Sequence, residues 1–432
     1  MIKRIIFFIT ALISLQAFSQ RSSSSPYSFF GVGEEFGTRT VEQITMGSIG
    51  AAFSSTYQLN FVNPAALADL RFSTYAFGLL NNDLRVQDAD TDQSSSSTSL
   101  SYFSVGIPLN REKGIGFIFG MQPTSAVGYS LVNTVEDANG DVTEITQFAG
   151  TGAVNRVYGG LGFRLFEGFS IGAEVDFLFG NVENSVLNIR EGVALGTKNR
   201  ENTNVRGESI KLGVLYKKKI KEELQINAGA SVKLSNTLRS KGDEILYSLT
   251  IGGFGSEVPR DTVYNEPLNG EFIRPLETTL GVGIGKENKW FASADYMFRN
   301  AFQTKGYLDN TSQSFAYGDA SRVSLGGFYI PNINSISSYW QRVTYRLGLR
   351  YEQTGLFVNG IPNSSTFTGI NDFGISFGLG LPIGKRYPSS LNFAVEYGQK
   401  GTTDNGLLQE NYLNLRLSLS LNDIWFIKRR ID

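Results

Sequence analysis

The 432-residue sequence contains no cysteine and no histidine. Without thiols, the chain cannot be acylated as a lipoprotein, cross-linked by disulfides or bound to a metal through thiolates. Without imidazole, Ser-His-Asp catalysis and histidine metal sites are excluded. We therefore expect no catalytic residue, no metal and no cofactor, and hence no enzyme. A site built on carboxylates or lysine is the enzymatic alternative that remains.

Charge blocks and long apolar runs are also missing. The formal net charge is −1 and no basic block is present, so we expect no nucleic-acid partner. Beyond the first twenty residues no apolar run approaches the length of a transmembrane helix. The chain is rich instead in glycine (48), phenylalanine (32) and tyrosine (19). With a mean hydropathy of −0.12, it can be membrane-embedded only if apolar residues alternate with polar ones, as in a closed barrel.

The N-terminus has the pattern of an export signal. Lys3 and Arg4 precede an apolar stretch at 5–18, and Ala17-Phe18-Ser19 provides a small-residue cleavage site. Residues 1–19 are therefore predicted to be a signal peptide, because the stretch is too short to span a bilayer. An N-terminal membrane anchor is the alternative.

Apolar and polar residues alternate along the rest of the chain. The odd positions from Leu413 to Leu421 are leucine, and the even positions between them are polar. A period of two places one set on lipid and the other toward a lumen. A soluble β-sandwich or propeller is the alternative, but the segments are longer than its usual strands. Fourteen such segments are predicted, at 72–82, 99–109, 114–121, 153–166, 168–180, 206–219, 223–236, 276–286, 288–299, 320–331, 340–352, 371–384, 389–399 and 410–422.

We therefore predict an all-β fold, a 14-stranded antiparallel transmembrane β-barrel over 72–432 in the outer membrane of a Gram-negative cell. The connections alternate between short turns and long loops, the long loops being predicted at 83–98, 122–152, 181–205, 237–275, 300–319, 353–370 and 400–409. Barrels of this kind have long extracellular loops and short periplasmic turns, so both termini are expected in the periplasm. Aromatic residues near segment ends are predicted to contact outer-membrane lipid at the interfaces: Trp290, Tyr296, Phe298, Tyr351, Tyr397, Tyr412 and Trp425.

The inward-facing set contains charges of both signs. Mixed signs predict ion pairs across neighbouring strands rather than an ion-selective ring. The predicted luminal charge network consists of Arg164, Glu174, Asp176, Lys233, Asp295, Arg346, Arg350, Glu396 and Arg416. Lys211, Glu277 and Arg299 have the same inward parity.

Residues 20–71 are predicted to be an N-terminal periplasmic plug or hatch segment. A 14-stranded barrel is too wide for wall side chains to fill, and this stretch lacks long alternation. Asn63 is a favoured helix N-cap and Pro64 a favoured first helical residue, which predicts a short helix before the first strand. Farther along, the segment 137–141 resembles half a calcium loop, but a hairpin turn containing Asn-Gly is the favoured interpretation.

The small-residue run 46–53 followed by Asn63-Pro64-Ala65 resembles the FadL-like family of outer-membrane hydrophobic-compound transporters, including its Bacteroidetes branch with PorV-like proteins. Residues 25–34 and 422–430 resemble members of that branch as well. The resemblance implies an N-terminal hatch containing Asn63, Pro64 and Ala65, a lateral opening, and passive uptake of a hydrophobic ligand. The loops are polar rather than apolar, which favours the alternative, an accessory barrel subunit with partners in an outer-membrane secretion or assembly complex.

Overall fold

A computed structural model of the chain describes residues 25–89, 91–221, 223–253, 256–309, 314–361, 366–384 and 388–425. The predicted signal peptide and the segment 426–430 lie outside these ranges. The helices are short: α1 (Val41–Ile44) and 3-10 turns at Pro26–Phe29, Pro64–Asp69, Trp340–Arg342 and Asp404–Gly406. Within the described ranges, none of the helices has the length and apolar character needed to cross a membrane.

Nineteen strands are formed by the described residues. They are β1 (Glu34–Glu35), β2 (Ser73–Gln87), β3 (Asp92–Asn110), β4 (Ile115–Glu136), β5 (Val142–Phe166), β6 (Phe169–Arg190), β7 (Gly196–Lys219), β8 (Leu224–Lys233), β9 (Asn236–Ile251), β10 (Glu257–Arg274), β11 (Glu277–Lys286), β12 (Trp290–Arg299), β13 (Gln303–Gly306), β14 (Phe315–Tyr317), β15 (Ala320–Tyr329), β16 (Thr344–Val358), β17 (Thr368–Ile383), β18 (Ser389–Gly401) and β19 (Gln409–Asp423).

Fourteen of these strands form a closed antiparallel wall. The order is β2 to β8, then β11, β12 and β15 to β19, and β19 pairs back onto β2 from Gln409↔Gln87 to Asp423↔Ser73. Each of the fourteen predicted segments corresponds to one wall strand, so the predicted 14-stranded barrel is confirmed. Closure leaves no sheet edge at this seam, as a membrane-embedded sheet requires.

The long connections differ from the prediction. Strands β4 to β7 contain 22 to 25 residues, whereas about 9–11 residues cross a bilayer. Most of 83–98, 122–152 and 181–205 is therefore strand rather than loop, and 237–275 folds into the β9–β10 hairpin, which pairs with β7. Alternation in the sequence did not mark these extensions, because those of β3 and β7 are mostly polar and residues 124–129 of β4 are buried on both faces.

The wall buries one face and exposes the other. Leu413 and Leu415 are exposed, whereas Asn414 and Ser418 between and beside them are buried. The same alternation places leucine, valine and phenylalanine on the outer surface of every wall strand around the barrel. The outward face is thus an apolar belt, and the barrel has the architecture of an outer-membrane protein.

The lumen is filled by the segment before β2, which we call the plug (residues 25–72). Val41, Leu59, Phe61 and Leu67 of the plug are buried in one cluster with inward wall residues such as Tyr102. The plug reaches from the end with long hairpins, where Ser25 contacts Glu410, to the end with short turns, where Asp69 contacts Lys217. It therefore runs along the whole barrel axis.

Candidate functional site

Helix α1 is fixed by its own sequence and then bonded to the wall. Thr40 and Gln43 form a reciprocal capping box, which satisfies two backbone donors at the start of this single turn. Glu42, which lies between these two residues, is buried and accepts hydrogen bonds from Asn392 and Ser420, each at 2.8 Å. Burial of a carboxylate is tolerated here because wall donors surround it.

The small-residue run 46–53 passes close to the wall. The backbone amides of Gly50 and Ala51 both donate to Asp295, at 2.7 and 2.8 Å. Asp295 belongs to the predicted charge network, yet in the structure it binds plug backbone rather than a cation. Gly229 on β8 permits this approach, because a Cβ there would lie 1.8 Å from the Ala51 carbonyl oxygen.

Asn63 is placed at the centre of the plug by bonds in two directions. Its Oδ1 accepts from the Ala65 amide at 3.0 Å and so caps the 3-10 turn that begins at Pro64. Its Nδ2 donates to the carbonyl oxygens of Ala51 at 2.7 Å and of Val214 on β7 at 2.8 Å. The three residues proposed as hatch elements therefore form the contact between two plug segments and the wall.

The end of the plug is held by ion pairs at Asp69. Its carboxylate is 2.7 Å from Arg164 on β5 and also pairs with Lys217 on β7. Burial alone would raise the pKa of Asp69, but Lys217 and Arg164 hold that pKa below its usual value. Arg164, expected to pair across the wall, binds the plug instead.

A first buried charge cluster lies on β5, β6 and β7. Arg156 contacts Glu174 at 2.6 Å and Asp176 at 2.8 Å, and Lys211 contacts Glu174 at 2.7 Å. Glu174 and Asp176 were predicted to face the lumen, whereas Arg156 was missed. Arg156 and Arg164 are both at even-numbered positions of β5. The alternation along this strand therefore predicts that Arg156 also faces the lumen.

A second cluster joins β16 to β19. Arg350 contacts Asp372 at 2.7 Å and Glu396 at 2.9 Å, and Arg416 contacts Glu396 at 2.5 Å. Tyr412 was predicted to be an interface aromatic, and that prediction is wrong: the side chain is buried inside the lumen, accepting from Arg350 and donating to Asp372, both at 2.6 Å. Tyr412 is at an even-numbered position of β19, whereas the outward leucines are at odd-numbered positions. Its side chain therefore points into the lumen.

The remaining predicted luminal charges stand apart from these clusters. Arg346 donates to Asn392 at 3.1 Å. Lys233 lies opposite Lys211 on one side and Glu277 on the other in the strand register. Among the described residues it has no carboxylate within 4.0 Å, so Lys233, like Asp295 and Arg346, is a member of the predicted network without a close ion pair.

The first residues of the plug bind the wall at the long-hairpin end. Glu34 pairs with Lys400 at 2.7 Å, and Glu35 pairs with Arg274 at 2.7 Å. Strand β1 adds to the edge of β4, with Glu34 opposite Ala126 and Glu35 opposite Ser125. This part of the plug therefore acts as a short extra strand inside the barrel.

The edge that β1 occupies is exposed because the wall is locally open. The β3–β4 pairing runs from Asn110↔Ile115 only to Phe103↔Met121, although both strands continue well beyond it. Beyond Phe103 and Met121, toward the long hairpins, the described part of β3 pairs with β2, and that of β4 pairs with β5. The result is a gap in the wall between β3 and β4.

A cavity of about 360 Å³ lies behind the gap. Leu100 of β3 and Pro123 of β4 line it from the two edges of the gap, and Phe36 and Arg39 of the plug line its floor. Burial and the neighbouring Arg322 lower the pKa of Arg39, whose Nε donates to the Ser48 carbonyl at 2.8 Å. The cavity combines aromatic and aliphatic surface with charged side chains of both signs, among them the cations Arg39, Lys233, Arg274, Arg299 and Arg322 and the carboxylates Glu35, Glu277 and Glu352.

The loop resembling half a calcium site is a turn. Asp137 accepts hydrogen bonds from the backbone amides of Asn139 at 2.7 Å and Asp141 at 3.0 Å. Its carboxylate oxygens are thus directed to its own backbone, which is the favoured hairpin interpretation.

Comparison with solved structures places the fold among known channels. The chain is similar to the toluene transporter TodX of Pseudomonas putida (19% identity, TM-score 0.59, covering 91% of this chain and 100% of that chain). It is also similar to a FadL homologue of Pseudomonas aeruginosa (13%, 0.58, 91% and 99%) and to the CymD monoaromatic hydrocarbon channel (14%, 0.55, 89% and 97%). These likenesses confirm the predicted FadL-like fold.

At the level of sequence, no curated protein matches the chain significantly. The family model described as BamG matches residues 1–432, which is the entire chain. The protein therefore belongs to the BamG family.

Proposed function

We propose that this protein is a non-enzymatic outer-membrane channel for passive uptake of hydrophobic small molecules, in which the plug is the hatch. In this proposal the short-turn end and both termini face the periplasm. The ligand enters the cavity at the long-hairpin end and leaves sideways into the bilayer through the β3–β4 gap.

The observation that carries the proposal is the coincidence of gap and cavity. A closed wall would leave a ligand only the axial route, which the buried plug obstructs. Because the cavity is lined by residues from both edges of the gap, a ligand in it lies next to an exit toward the apolar belt. Leu100 and Phe103, on the β3 side of the gap, have exposed side chains that extend this apolar path outward.

The chemistry of the cavity suits a small molecule with a large apolar part. Phe30, Phe272, Phe302 and Leu84 supply apolar contacts, while the charged side chains of the lining can orient a polar end. Structural neighbours are described as toluene transporters and a monoaromatic hydrocarbon channel. Toluene and oleate are therefore suitable probes, one without and one with an anionic end.

Locking the plug to the wall tests the proposal. Glu35 and Ser125 are register partners on antiparallel strands, so their Cα atoms lie at roughly 4.5–5.5 Å, a separation that a disulfide spans. The chain has no cysteine, so Glu35→Cys/Ser125→Cys introduces the only two thiols. We expect oxidation of this variant to stop uptake of radiolabelled probe by a host lacking its own such channel, and reduction to restore it.

A matched lock elsewhere separates hatch movement from general rigidity. Leu349 and Ile375 are register partners in the continuous wall, far from the plug's first strand. Oxidised Leu349→Cys/Ile375→Cys is expected to take up probe like the wild type. Equal uptake by the oxidised and reduced forms of the Glu35–Ser125 variant would contradict a moving hatch.

A second function, as an accessory barrel in an outer-membrane secretion or assembly complex, is favoured by the β9–β10 hairpin. This hairpin is outside the fourteen-strand wall and pairs with the extension of β7, so it forms an ordered projecting surface. Exposed apolar residues lie on it, including Val258 and Val263. Recovery of a stoichiometric partner in mild detergent from wild-type cells, lost when residues 243–265 are replaced by a short turn, would support this function. Recovery of monomer alone would oppose it.

A further inference from the structure

The outer surface of the wall has a broad, open depression near the short-turn end. Its volume is about 910 Å³, comparable with sites that hold whole small molecules, commonly ~300–1,000 Å³. It lies on the membrane-facing side of β11, β12, β15 and β16, on the opposite side of the wall from the plug. It is therefore separate from the cavity behind the β3–β4 gap.

The depression arises from two small residues in a row of large ones. The strand register aligns six outward residues side by side at one level: Ile226, Ile284, Ala292, Gly327, Leu347 and Phe377. Ala292 and Gly327 are at the centre, so the wall surface falls away there while its flanks stand higher. Ala294, one step farther from the short turns, continues the low path.

The floor of the depression is rigid because it is packed from inside. Phe291 and Phe328, the inward neighbours of Ala292 and Gly327, cluster with Phe53 of the plug. The ring centroids are 5.6 Å apart for Phe53–Phe291 and 6.2 Å for Phe291–Phe328. A preformed surface binds without the cost of ordering itself.

Aromatic residues border the depression on the short-turn side. The next row of the register aligns Trp290, Tyr329 and Tyr345, and Tyr345 donates to the Trp340 carbonyl oxygen at 3.2 Å. Tryptophan and tyrosine favour the level of the lipid headgroups. Lys286 is in the same row, beside Trp290, and Lys289 lies in the turn just before it. The depression thus extends from the headgroup level into the hydrocarbon layer.

We propose that this depression is a binding site for one phospholipid of the adjacent leaflet, with an acyl chain over Ala292, Ala294 and Gly327 and the headgroup beside Trp290 and Lys289. Lipid is the occupant because the surface is continuous with the apolar belt. Its lining has few polar groups that could form hydrogen bonds with a second protein. The aromatic row also marks the position where a headgroup would leave the hydrocarbon layer.

Filling the depression tests the site. Ala292→Phe/Ala294→Phe places two rings on the outward face, where the bilayer tolerates them. The control, Ala173→Phe, places one ring at an exposed, outward alanine on β6. Gly327 is unsuitable, because a Cβ there would lie 2.0 Å from the Phe291 carbonyl oxygen. Each protein is extracted in mild detergent from phosphatidylethanolamine nanodiscs and analysed by native mass spectrometry, after gel mobility has shown that the barrel is folded.

We expect wild type and Ala173→Phe to retain one phospholipid and the filled variant to retain about tenfold less, equivalent to ~1.4 kcal/mol of binding free energy. Equal retention by all three, or no retained lipid in the wild type, would overturn the proposal. A second protein chain that replaces the lipid and is lost in the filled variant would overturn it in favour of a barrel–barrel contact.

Tryptophan fluorescence gives a second readout that does not depend on extraction. The chain has three tryptophans, so Trp340→Phe/Trp425→Phe leaves Trp290 as the only emitter. Lipids with acyl chains brominated near the carboxyl end should quench the fluorescence of Trp290. We expect half-maximal quenching at a lower mole fraction of brominated lipid than random lipid contact predicts. Filling the depression should remove this difference. Quenching that follows bulk composition in both proteins would contradict a discrete site.

Discussion

The Nδ2 of Asn63 donates a hydrogen bond to the carbonyl oxygen of Val214, 2.8 Å away and 151 positions later in the chain. This bond joins the middle of the plug to the wall. The same side chain caps the following 3-10 turn through Oδ1. One residue therefore determines both the local shape of the plug and its position in the lumen.

Replacement of Asn63 is expected to loosen the plug. Asn63→Ala removes the cap and both donations, and loss of a cap alone costs about 0.5–2 kcal/mol. Asn63→Asp keeps the oxygen that caps Ala65 but cannot donate to Val214. We expect faster amide hydrogen exchange over residues 46–70 in both variants, with the larger increase in Asn63→Ala. Exchange at the wild-type rate in Asn63→Ala would show that the plug is held without this residue.

Attachment of the plug should weaken in acid because of Asp69. Its pKa is lowered in the folded protein, so the charged carboxylate stabilises the plug fully above the unfolded pKa of about 3.9. This stabilisation is lost as the pH falls through the lower, folded pKa. We expect the protection factors of residues 64–72, in which the intrinsic pH dependence of amide exchange is divided out, to fall below about pH 4 in the wild type. In Asp69→Asn these protection factors should be low already at neutral pH and nearly independent of pH, and a parallel pH dependence in both proteins would assign the effect to another group.

The sequence predicted the wall because its signal is local. Alternation within a strand determines which side chains face lipid, and it gave the fourteen wall segments. The same parity, applied to every position, would also have placed Arg156 and Tyr412 in the lumen. The capping role of Asn63 could also be predicted from the Asn63-Pro64 pair, because this signal is local as well: donor and acceptor are two residues apart.

The gap and the plug contacts could not be predicted from the sequence, because they depend on pairing between segments far apart in the chain. Residues 124–129 of β4 are buried on both faces and therefore lose the alternation that marks a wall strand. Their partner is β1, about ninety residues earlier, whose two residues carry no strand pattern of their own. Similarly, nothing near Asn63 indicates that Val214 lies beside it.

The buried cluster at Glu174 should contribute strongly to stability. Arg156 and Glu174 are each 1% exposed, and Glu174→Gln removes the charge that compensates both Arg156 and Lys211. Breaking a buried pair from one side costs about 3–5 kcal/mol, because a charge is left uncompensated. Urea titration in lipid vesicles should show this loss in the free energy of unfolding.

The matched control is the exposed pair of Arg85 and Asp92, whose side chains are 58% and 49% exposed. Asp92→Asn should change the free energy of unfolding by less than about 1 kcal/mol, since solvent screens the pair. Comparable losses in Glu174→Gln and Asp92→Asn would mean that the buried cluster is no more stabilising than a surface contact.

Close approach of plug and wall at Gly229 gives a way to expel the plug without unfolding the barrel. A Cβ at this position would lie 1.8 Å from the Ala51 carbonyl oxygen, and neither backbone can move away without breaking the bonds of Ala51 to Asp295 and Asn63. Valine is otherwise well suited to a strand, so Gly229→Val should leave the wall ladder intact. We expect a folded barrel by gel mobility, but fast hydrogen exchange over residues 46–63. Gly253→Val, at a position with open space around it, should resemble the wild type in both measurements. If Gly229→Val instead prevents folding of the barrel, the wall needs the docked plug to close, and the plug cannot act as an independent hatch.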